Sequence, residues 1–265
     1  MIVKKFSSGN IGVILVKSNG KRIFVKIIAT VIILAFCALI LDFINSFYGN
    51  PISKALAKNA AEKYINQNYK DLNMELQSAG YNFKFDYYCV HYQSANSIDT
   101  TFAVYVNSFG KVLSDDYEYE VANHFTTYRR FESELRKLGD RLFREELDYE
   151  ISNALFMMKD KSEEDMLKLT LDMPFSLESI PSEIDASITI TDKDVSYEKM
   201  SEVLIRMAEV CHKENIPVST YSVRIEYFDE NEKTPEKTFL SIYDIPKEVL
   251  HAEDIPKALA ELDSE

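Results

Sequence analysis

The sequence predicts an α+β protein with one N-terminal transmembrane helix followed by two small units, each an antiparallel sheet with helices. Three observations predict this fold class. An uncharged apolar run of fifteen residues occupies positions 27–41. Farther on, stretches that alternate apolar and polar residues, typical of strands, are interspersed with stretches of helical periodicity. The 265 residues suffice for two compact units, and seven prolines and seven glycines are too few for a linker-dominated chain.

The apolar run continues through Asp42 to Ile44, so residues 27–44 form a predicted span of 18 residues. As a helix this span is about 27 Å long, close to a hydrocarbon core of about 30 Å. Phe47 and Tyr48 follow it as an interfacial aromatic anchor. A buried core helix is one alternative, but no face of the segment is polar. A cleaved signal peptide is the other, but bulky residues stand where cleavage needs small ones. We therefore predict an uncleaved membrane anchor.

Charge is distributed unevenly along the chain. Residues 1–50 contain six basic residues and one acid, whereas the rest contains 24 basic and 42 acidic residues. The positive-inside rule then predicts a single-pass cell-membrane protein with a cytoplasmic N-terminus and an acidic extracellular part. We assign residues 1–20 to a cytoplasmic tail and 21–48 to the anchor with its basic flank. The net charge of −13 argues against nucleic acid as a partner.

The first unit is predicted over residues 49–146 and begins with a helix. Asn50 can cap this helix, and Pro51 suits its first position. Its predicted apolar face, which runs to about residue 68, consists of Ile52, Ala55, Leu56, Ala60, Tyr64 and Ile65. A three-strand meander follows, with strands predicted at 81–92, 100–107 and 111–114 and a turn at Gly110. The residues predicted to share one side of its first strand are Tyr81, Phe83, Phe85, Tyr87 and Cys89.

A long helix completes the first unit. Its apolar residues recur at spacings of three and four, the strongest periodicity outside the predicted span. They are Val121, Phe125, Tyr128, Phe131, Leu135, Leu138 and Leu142. We expect Leu135 and Leu138 to be buried by this apolar stripe.

The second unit is predicted over residues 147–265. Residues 166–172 alternate like a strand and 162–165 have the composition of a loop. The other predicted elements are a strand at 186–191, a helix at 196–214, a hairpin formed by 217–228 and 237–243, and a terminal helix at 254–262.

Several short stretches resemble the YfjL-like family of bacterial membrane-anchored proteins. They are Gly49-Asn-Pro-Ile-Ser-Lys54, Ala60-Ala-Glu-Lys-Tyr64, Gly80-Tyr-Asn-Phe-Lys84, Ser97-Ile-Asp-Thr-Thr-Phe102, Asp115-Asp-Tyr-Glu118, Asp194-Val-Ser-Tyr-Glu-Lys199 and Tyr221-Ser-Val-Arg-Ile-Glu-Tyr227. The resemblance covers most of residues 49–262 and leaves out residues 1–20. It implies a two-part extracytoplasmic module on one membrane helix, of uncharacterised function, and it implies no activity, substrate or site residues.

The residue types that carry catalysis form no recognisable set. The sequence contains no nucleophile elbow, zinc-protease motif or phosphate loop. Cys89 and His91 share a strand face, but no second histidine or cysteine nearby completes a four-ligand metal site. Cys89 and Cys211 fall in separate units, which argues against a disulfide between them. The acidic run Asp115, Asp116, Glu118 and Glu120 lacks the spacing of a calcium loop, so a solvated strand end is favoured. We predict no catalytic residue, metal or cofactor.

Four basic residues on one side of the long helix form the best-defined candidate surface. They are Arg130, Lys137, Arg141 and Arg144, at spacings of seven, four and three, with acids nearby that can pair with them. We predict that this basic stripe contacts an envelope protein, a peptide or an anionic polymer. The predicted function is therefore a non-enzymatic binding module of the cell envelope, with sheet edges open to strand addition. The alternative is an envelope hydrolase with a carboxylate site.

Overall fold

The computed structural model describes residues 20–159, 162–228 and 237–264. Residues 1–19 of the predicted tail lie outside this part. The chain begins with helix α1 (Gly20–Tyr48), which contains the whole predicted span and ends at the predicted aromatic anchor. At 1.5 Å per residue, its 29 residues extend about 43 Å, the thickness of a bilayer including its headgroups. None of the described α1 side chains is buried. The helix is therefore long and apolar enough to span a membrane.

The first unit is helix α2 (Pro51–Asn68) packed on an antiparallel sheet. The strands are β1 (Met74–Asn82), β2 (Tyr87–Ser94), β3 (Thr101–Asn107) and β4 (Val112–Asp115), paired in that order. The Asn50 side chain accepts a hydrogen bond from the Ile52 N–H, which confirms the predicted cap. Gly110 has φ of +80° in the β3–β4 turn, as predicted.

The prediction of a single strand over residues 81–92 is wrong, because this stretch contains a hairpin turn. Asn82 ends β1, and its side chain accepts a hydrogen bond from the Lys84 N–H. Asp86 adopts a left-handed φ of 54° before β2 begins. The inward side chains of β2 are Tyr88, Val90 and Tyr92, on the side opposite to the predicted set. The aromatic residues of the turn alternate with polar residues as those of a strand would. Because the predicted first strand is two strands, β1 and β2, the meander has four strands and not three.

The face that helix α2 presents to the sheet agrees with the predicted one only in part. Ile65 is buried as predicted, and Ala60 and Tyr64 pack partly buried against the core. Ala57, Ala61 and Ile65 are buried, whereas Ile52 is 72% and Leu56 46% exposed. Small side chains let the helix backbone approach the sheet closely, so the buried face centres on the two alanines, and Ile52 and Leu56 in the first half of the helix lie outward.

A π-helical turn (Glu118–Ala122) leads into helix α3 (Phe125–Glu146), the predicted long helix. Leu135 is fully buried as expected, but Leu138 is only partly buried. The buried apolar residues of α3 pack with the second sheet rather than the first. At Gly139, an added Cβ would lie 2.3 Å from the Phe156 backbone nitrogen, so a glycine is needed where helix and strand backbones approach each other.

The second unit contains a sheet of four strands, β5 (Glu150–Met158), β6 (Ile184–Thr191), β7 (Val218–Phe228) and β8 (Lys237–Pro246), in that order. Its helices are α4 (Glu163–Leu167), α5 (Tyr197–Lys213) and α6 (Ile255–Leu262). Strands β6 and β7 are parallel, so this sheet is mixed and not purely antiparallel as predicted. The reason is that α5 connects the two strands as a crossover, which returns the chain in the same direction.

Two other predictions in the second unit are corrected. Residues 166–172 are not a strand, because Ser162 caps the short helix α4 and the chain then turns. Strand β5 was not predicted. The predicted helices at 196–214 and 254–262 are confirmed as α5 and α6, each capped by the side chain of the residue before it. Residues 229–236, between the hairpin strands, lie outside the described part.

Candidate functional site

The three later members of the basic stripe lie on the side of α3 that faces away from the core. Each is paired with an acid of its own helix. The nitrogen–oxygen distance is 3.0 Å for Lys137 and Glu134, 3.8 Å for Arg141 and Glu145, and 2.7 Å for Arg144 and Asp140. Such exposed pairs contribute under about 1 kcal/mol each and are easily exchanged. These three cations therefore form a neutralised, solvated surface.

Arg130 is separated from the other three because loops from both units cover its side chain. Its guanidinium donates to both carboxylate oxygens of Asp99, at 2.7 and 2.8 Å, and to the carbonyl oxygen of Met173. The Asp99 side chain is 1% exposed and that of Arg130 is 20% exposed. Arg130 thus forms a buried ion pair and is not part of a solvent-facing stripe.

The ion pair lies within a hydrogen-bond network that joins the two units. The Asp172 N–H donates to Asp99, and the Asp172 carboxylate accepts from the Asp99 N–H and the Ser97 hydroxyl. Burial would raise the pKa of Asp99, but the hydrogen bonds from Arg130 and the Asp172 backbone outweigh it and hold the pKa below its ordinary value. No sequence pattern distinguishes Asp99 or Asp172, because acids are abundant throughout the chain.

Two acids of the predicted acidic run, Asp115 and Asp116, accept hydrogen bonds from tyrosine hydroxyls. Asp115 accepts hydrogen bonds from the Tyr64 hydroxyl at 2.5 Å and the Tyr69 hydroxyl at 3.1 Å. Asp116 accepts from the Tyr105 hydroxyl at 2.7 Å and from a backbone N–H of β3. These carboxylates act as structural hydrogen-bond acceptors within the first unit.

Neither of the two cysteines in the sheet-and-helix units is positioned for chemistry. Cys89 and His91 share the outward face of β2, as predicted, and no group of three metal-ligating side chains occurs among the described residues. Cys89 and Cys211 are free thiols on different elements. Burial raises the pKa of Cys211 to about 12, so this thiol stays protonated and is a poor nucleophile.

The pKa of the Asp185 carboxyl group is raised above its ordinary value. The cause is burial, and the Thr220 hydroxyl donates a hydrogen bond to it. Catalysis by a carboxylate pair needs a second carboxyl group with a matched environment. The acids whose charges act on Asp185 are Glu183 and Asp244, and both are exposed to solvent, so they do not share its buried environment.

The second sheet has one open face. Helices α3, α5 and α6 contribute to the core on the other face, together with the inward residues Ala186, Ile188, Val223 and Ile225. The outward side chains include Asn153, Ser187, Thr189, Ser222, Arg224, Glu226, Phe239, Ser241 and Tyr243, which we call the open face. None of these nine is buried. Sequence reasoning missed this surface, although the alternation of polar residues in 187–191 and 222–226 is its signal.

Strand register aligns the open face in rows. Asn153, Thr189, Arg224 and Ser241 are direct neighbours across all four strands. At about 4.8 Å per strand, this row is roughly 14 Å wide. The row bears the amide of Asn153, the hydroxyls of Thr189 and Ser241, and the guanidinium of Arg224.

Arg224 lies at the centre of the open face, between two exposed aromatic side chains. Its guanidinium carbon is 4.5 Å from the ring centroid of Phe239, and it donates to the Ser241 hydroxyl at 3.2 Å. Hydrogen bonds with Tyr243 and then Glu226 raise the pKa of Arg224, which stays charged. Phe239 is 56% and Tyr243 61% exposed. Arg224 also forms an ion pair with Glu226, with a nitrogen–oxygen distance of 3.2 Å, so the cluster offers stacking surfaces beside a paired cation.

The fold defines the class of protein. It has two sheet-and-helix units that follow one apolar helix long enough to span a membrane. Comparison with known families gives the particular assignment. The YfjL-like N-terminal domain matches residues 23–126, and the YfjL-like C-terminal domain matches residues 134–260. The chain therefore belongs to the YfjL-like family. No curated protein and no solved structure gave a significant match.

Proposed function

We propose that the protein is anchored in the cell membrane by α1, with both units outside the cell, and that it binds an envelope peptide or polymer without catalysing a reaction. Support for the anchor is the length of α1 and the exposure of its apolar side chains. Support for the orientation is the excess of basic residues before the span and of acids after it.

The observation that carries the binding proposal is the open face with Arg224 at its centre. Exposed rings beside a charge-bearing guanidinium are characteristic of recognition surfaces, because aromatic and arginine side chains dominate binding energy. A carboxylate-bearing segment laid across the four strands would replace Glu226 as the partner of Arg224 and stack on Phe239 and Tyr243. The paired basic stripe is the competing contact surface, because its cations can exchange their acid partners for an anionic ligand.

Orientation is tested with a reporter enzyme that is active only outside the cytoplasm, fused after residue 265. We expect an active fusion. An expressed but inactive fusion would reverse the orientation, and release of the globular part into the medium would show that α1 is cleaved.

Binding is tested by photo-crosslinking of the full chain in intact cells. A photoreactive residue at Tyr243 should yield a discrete adduct with an envelope component, and the same residue at Lys137 on the basic stripe should not. Adducts at Lys137 alone would assign the contact to the stripe. Absence of adducts at both positions would contradict the binding proposal.

Two paired variants compare the surfaces quantitatively. With the photoreactive residue placed at Phe239, Arg224→Glu with Tyr243→Ser should reduce the adduct at least tenfold, whereas Lys137→Glu with Arg141→Glu should leave it unchanged. An adduct that falls only in the stripe variant, and more strongly at low salt, would favour the stripe. Hydrolysis of an envelope polymer by the purified chain, abolished by one carboxylate substitution without unfolding, would contradict binding without catalysis.

A further inference from the structure

The joint between α1 and the first unit is short and held by hydrogen bonds. Tyr48 ends α1 and Pro51 begins α2, so only two residues separate the helices. The Asn50 N–H donates to the Tyr88 hydroxyl at 2.7 Å, and this hydroxyl donates to the Asn50 carbonyl oxygen at 3.0 Å. Gly49, at φ +73°, leaves no room for a Cβ beside Tyr81 and Tyr88. The first sheet is therefore fixed relative to the end of α1.

Two turns of the first sheet lie at the same end as this joint. They are residues 83–86 between β1 and β2 and residues 108–111 between β3 and β4, which we call the proximal turns. Strand pairing of Tyr87 with Asn107 places both turns at one sheet end. The Phe83 ring lies 5.6 Å from the ring of Phe47 in the last turn of α1. Ser108 and Phe109 line a cavity of about 420 Å³ together with residues from the α1–α2 joint.

The proximal turns expose large apolar side chains. Phe109 is 89%, Phe85 66% and Phe83 53% exposed. Phe83 also forms a groove with Phe43, Ile44, Phe47 and Tyr48 of α1. With residues 27–44 in the hydrocarbon, Phe47 and Tyr48 lie at the level of the headgroups, and the contact with Phe83 places the turn at the same level. Exposed aromatic side chains at this depth match the aromatic belts of membrane proteins.

Charge at the proximal turns differs from that of the acidic chain as a whole. Lys84 and Lys111 lie within the turns and Lys54 lies in the first turn of α2, all outside the predicted span. Asp86 is the acid in the turns, and it accepts a hydrogen bond from the Tyr81 hydroxyl. Lysines flanking exposed aromatic residues suit a surface of anionic headgroups.

From these observations we infer that the proximal turns insert their phenylalanine side chains into the headgroup region and seat the first unit on the bilayer surface. The occupant of this apolar surface is lipid, because the surface is continuous with the membrane helix. The inference rests on the membrane anchor of the proposed function. It couples the orientation of the first sheet to that of α1 through the contacts at their joint.

The sequence contains no tryptophan, so single-tryptophan variants of the full chain give an unambiguous fluorescence signal. The chain is reconstituted in vesicles of phosphatidylcholine and phosphatidylglycerol, with bromine on the acyl chains as a quencher. Phe85→Trp and Phe109→Trp report on the proximal turns. Phe36→Trp reports on the middle of α1. Ile98→Trp is the matched control, because Ile98 is 65% exposed and lies in the β2–β3 loop at the opposite sheet end.

We expect bromolipid to quench Phe85→Trp and Phe109→Trp several-fold more than Ile98→Trp. Quenching of Phe36→Trp without quenching of the turns would overturn the seating and leave the anchor intact. A Phe36→Trp variant that is not quenched would overturn the anchor itself.

Charge is tested with Lys84→Glu and Lys111→Glu in the Phe109→Trp chain. Reversal should weaken quenching in these anionic vesicles, and unchanged quenching would overturn the electrostatic part of the inference. Emission of each variant in detergent, where no bilayer surface is present, checks that the substitutions leave the turn itself folded.

Discussion

The two units are both four-stranded sheets with helices on one face, yet different interactions hold them together. Among the described residues, the core of the second unit has 29 buried apolar residues, drawn from the sheet, from helices α3, α5 and α6, and from α4 and neighbouring loops. The core of the first unit has ten, and its helix contributes two alanines and an isoleucine. In the first unit, tyrosine hydroxyls hydrogen-bonded to Asp115, Asp116 and Asn50 lie around this small core.

The difference shows how a small sheet can be stabilised when little apolar area is available. Burial contributes about 25 cal/mol per Å², so 29 residues can supply most of the stability of the second unit. In the first unit, each hydrogen bond contributes only about 1 kcal/mol, but its geometry fixes the joint and the turns. We therefore expect the stability of the second unit to fall most when buried side-chain volume is removed, and that of the first unit when hydrogen bonds are removed.

The largest effect is expected where the two units meet. Arg130→Met removes the partner of Asp99 and leaves a buried carboxylate, which should cost about 3–5 kcal/mol at pH 7. The exposed pair of Arg144 on the same helix provides the control, and Arg144→Met should cost under about 1 kcal/mol. The measurement is denaturant unfolding of the full chain in detergent. Equal losses of unfolding free energy in the two variants would show that the buried pair of Arg130 and Asp99 contributes no more stability than the exposed pair of Arg144.

The same variant should respond to pH in a defined direction. In the native chain the pKa of Asp99 is lowered, so its stabilisation is present above the ordinary carboxyl pKa of about 4 and is lost as pH falls through the folded value. Without Arg130, burial raises the pKa of Asp99 above that of the unfolded chain. The cost of Arg130→Met should therefore shrink as pH falls toward about 4.

A second prediction addresses the apolar core directly. Leu135 is fully buried in the second core, so Leu135→Ala should cost about 2–5 kcal/mol through lost burial and a cavity. Leu138, three residues along the helix, is only partly buried, and Leu138→Ala should cost roughly 1 kcal/mol. A cost below about half a kcal/mol for Leu135→Ala in chemical unfolding would mean that α3 does not close this core.

The smallest effects on stability are expected for substitutions of two tyrosines on the same face of β2. Tyr88→Phe removes two hydrogen bonds with Asn50 and should cost about 1–3 kcal/mol. The Tyr92 hydroxyl is buried without a hydrogen-bond partner in the described part, and burial, with Glu62 nearby, raises its pKa to about 12. Tyr92→Phe should therefore change stability by less than about half a kcal/mol or increase it. Similar losses for both variants would contradict the importance of hydrogen bonds in this unit.

What could be predicted from the sequence were the local features. The apolar span, the cap at Asn50 and the periodicity of α3 each depend on residues within a few positions of one another. The fold class and the family resemblance follow from the order of such segments. Their physical basis is short in range: side-chain spacing decides which residues share a helix face, and a capping side chain reaches only the next turn.

Only the tertiary structure decided which faces and charges come together. Helix α2 packs its alanines against the sheet, and α3 packs in the core of the second unit. Arg130 pairs with Asp99, which lies 31 positions earlier in the chain. The open face arose because three helices occupy one side of the second sheet and leave Arg224 on the other. Close approach of backbones and burial of paired charges depend on residues far apart in the chain, so no local pattern could have revealed them.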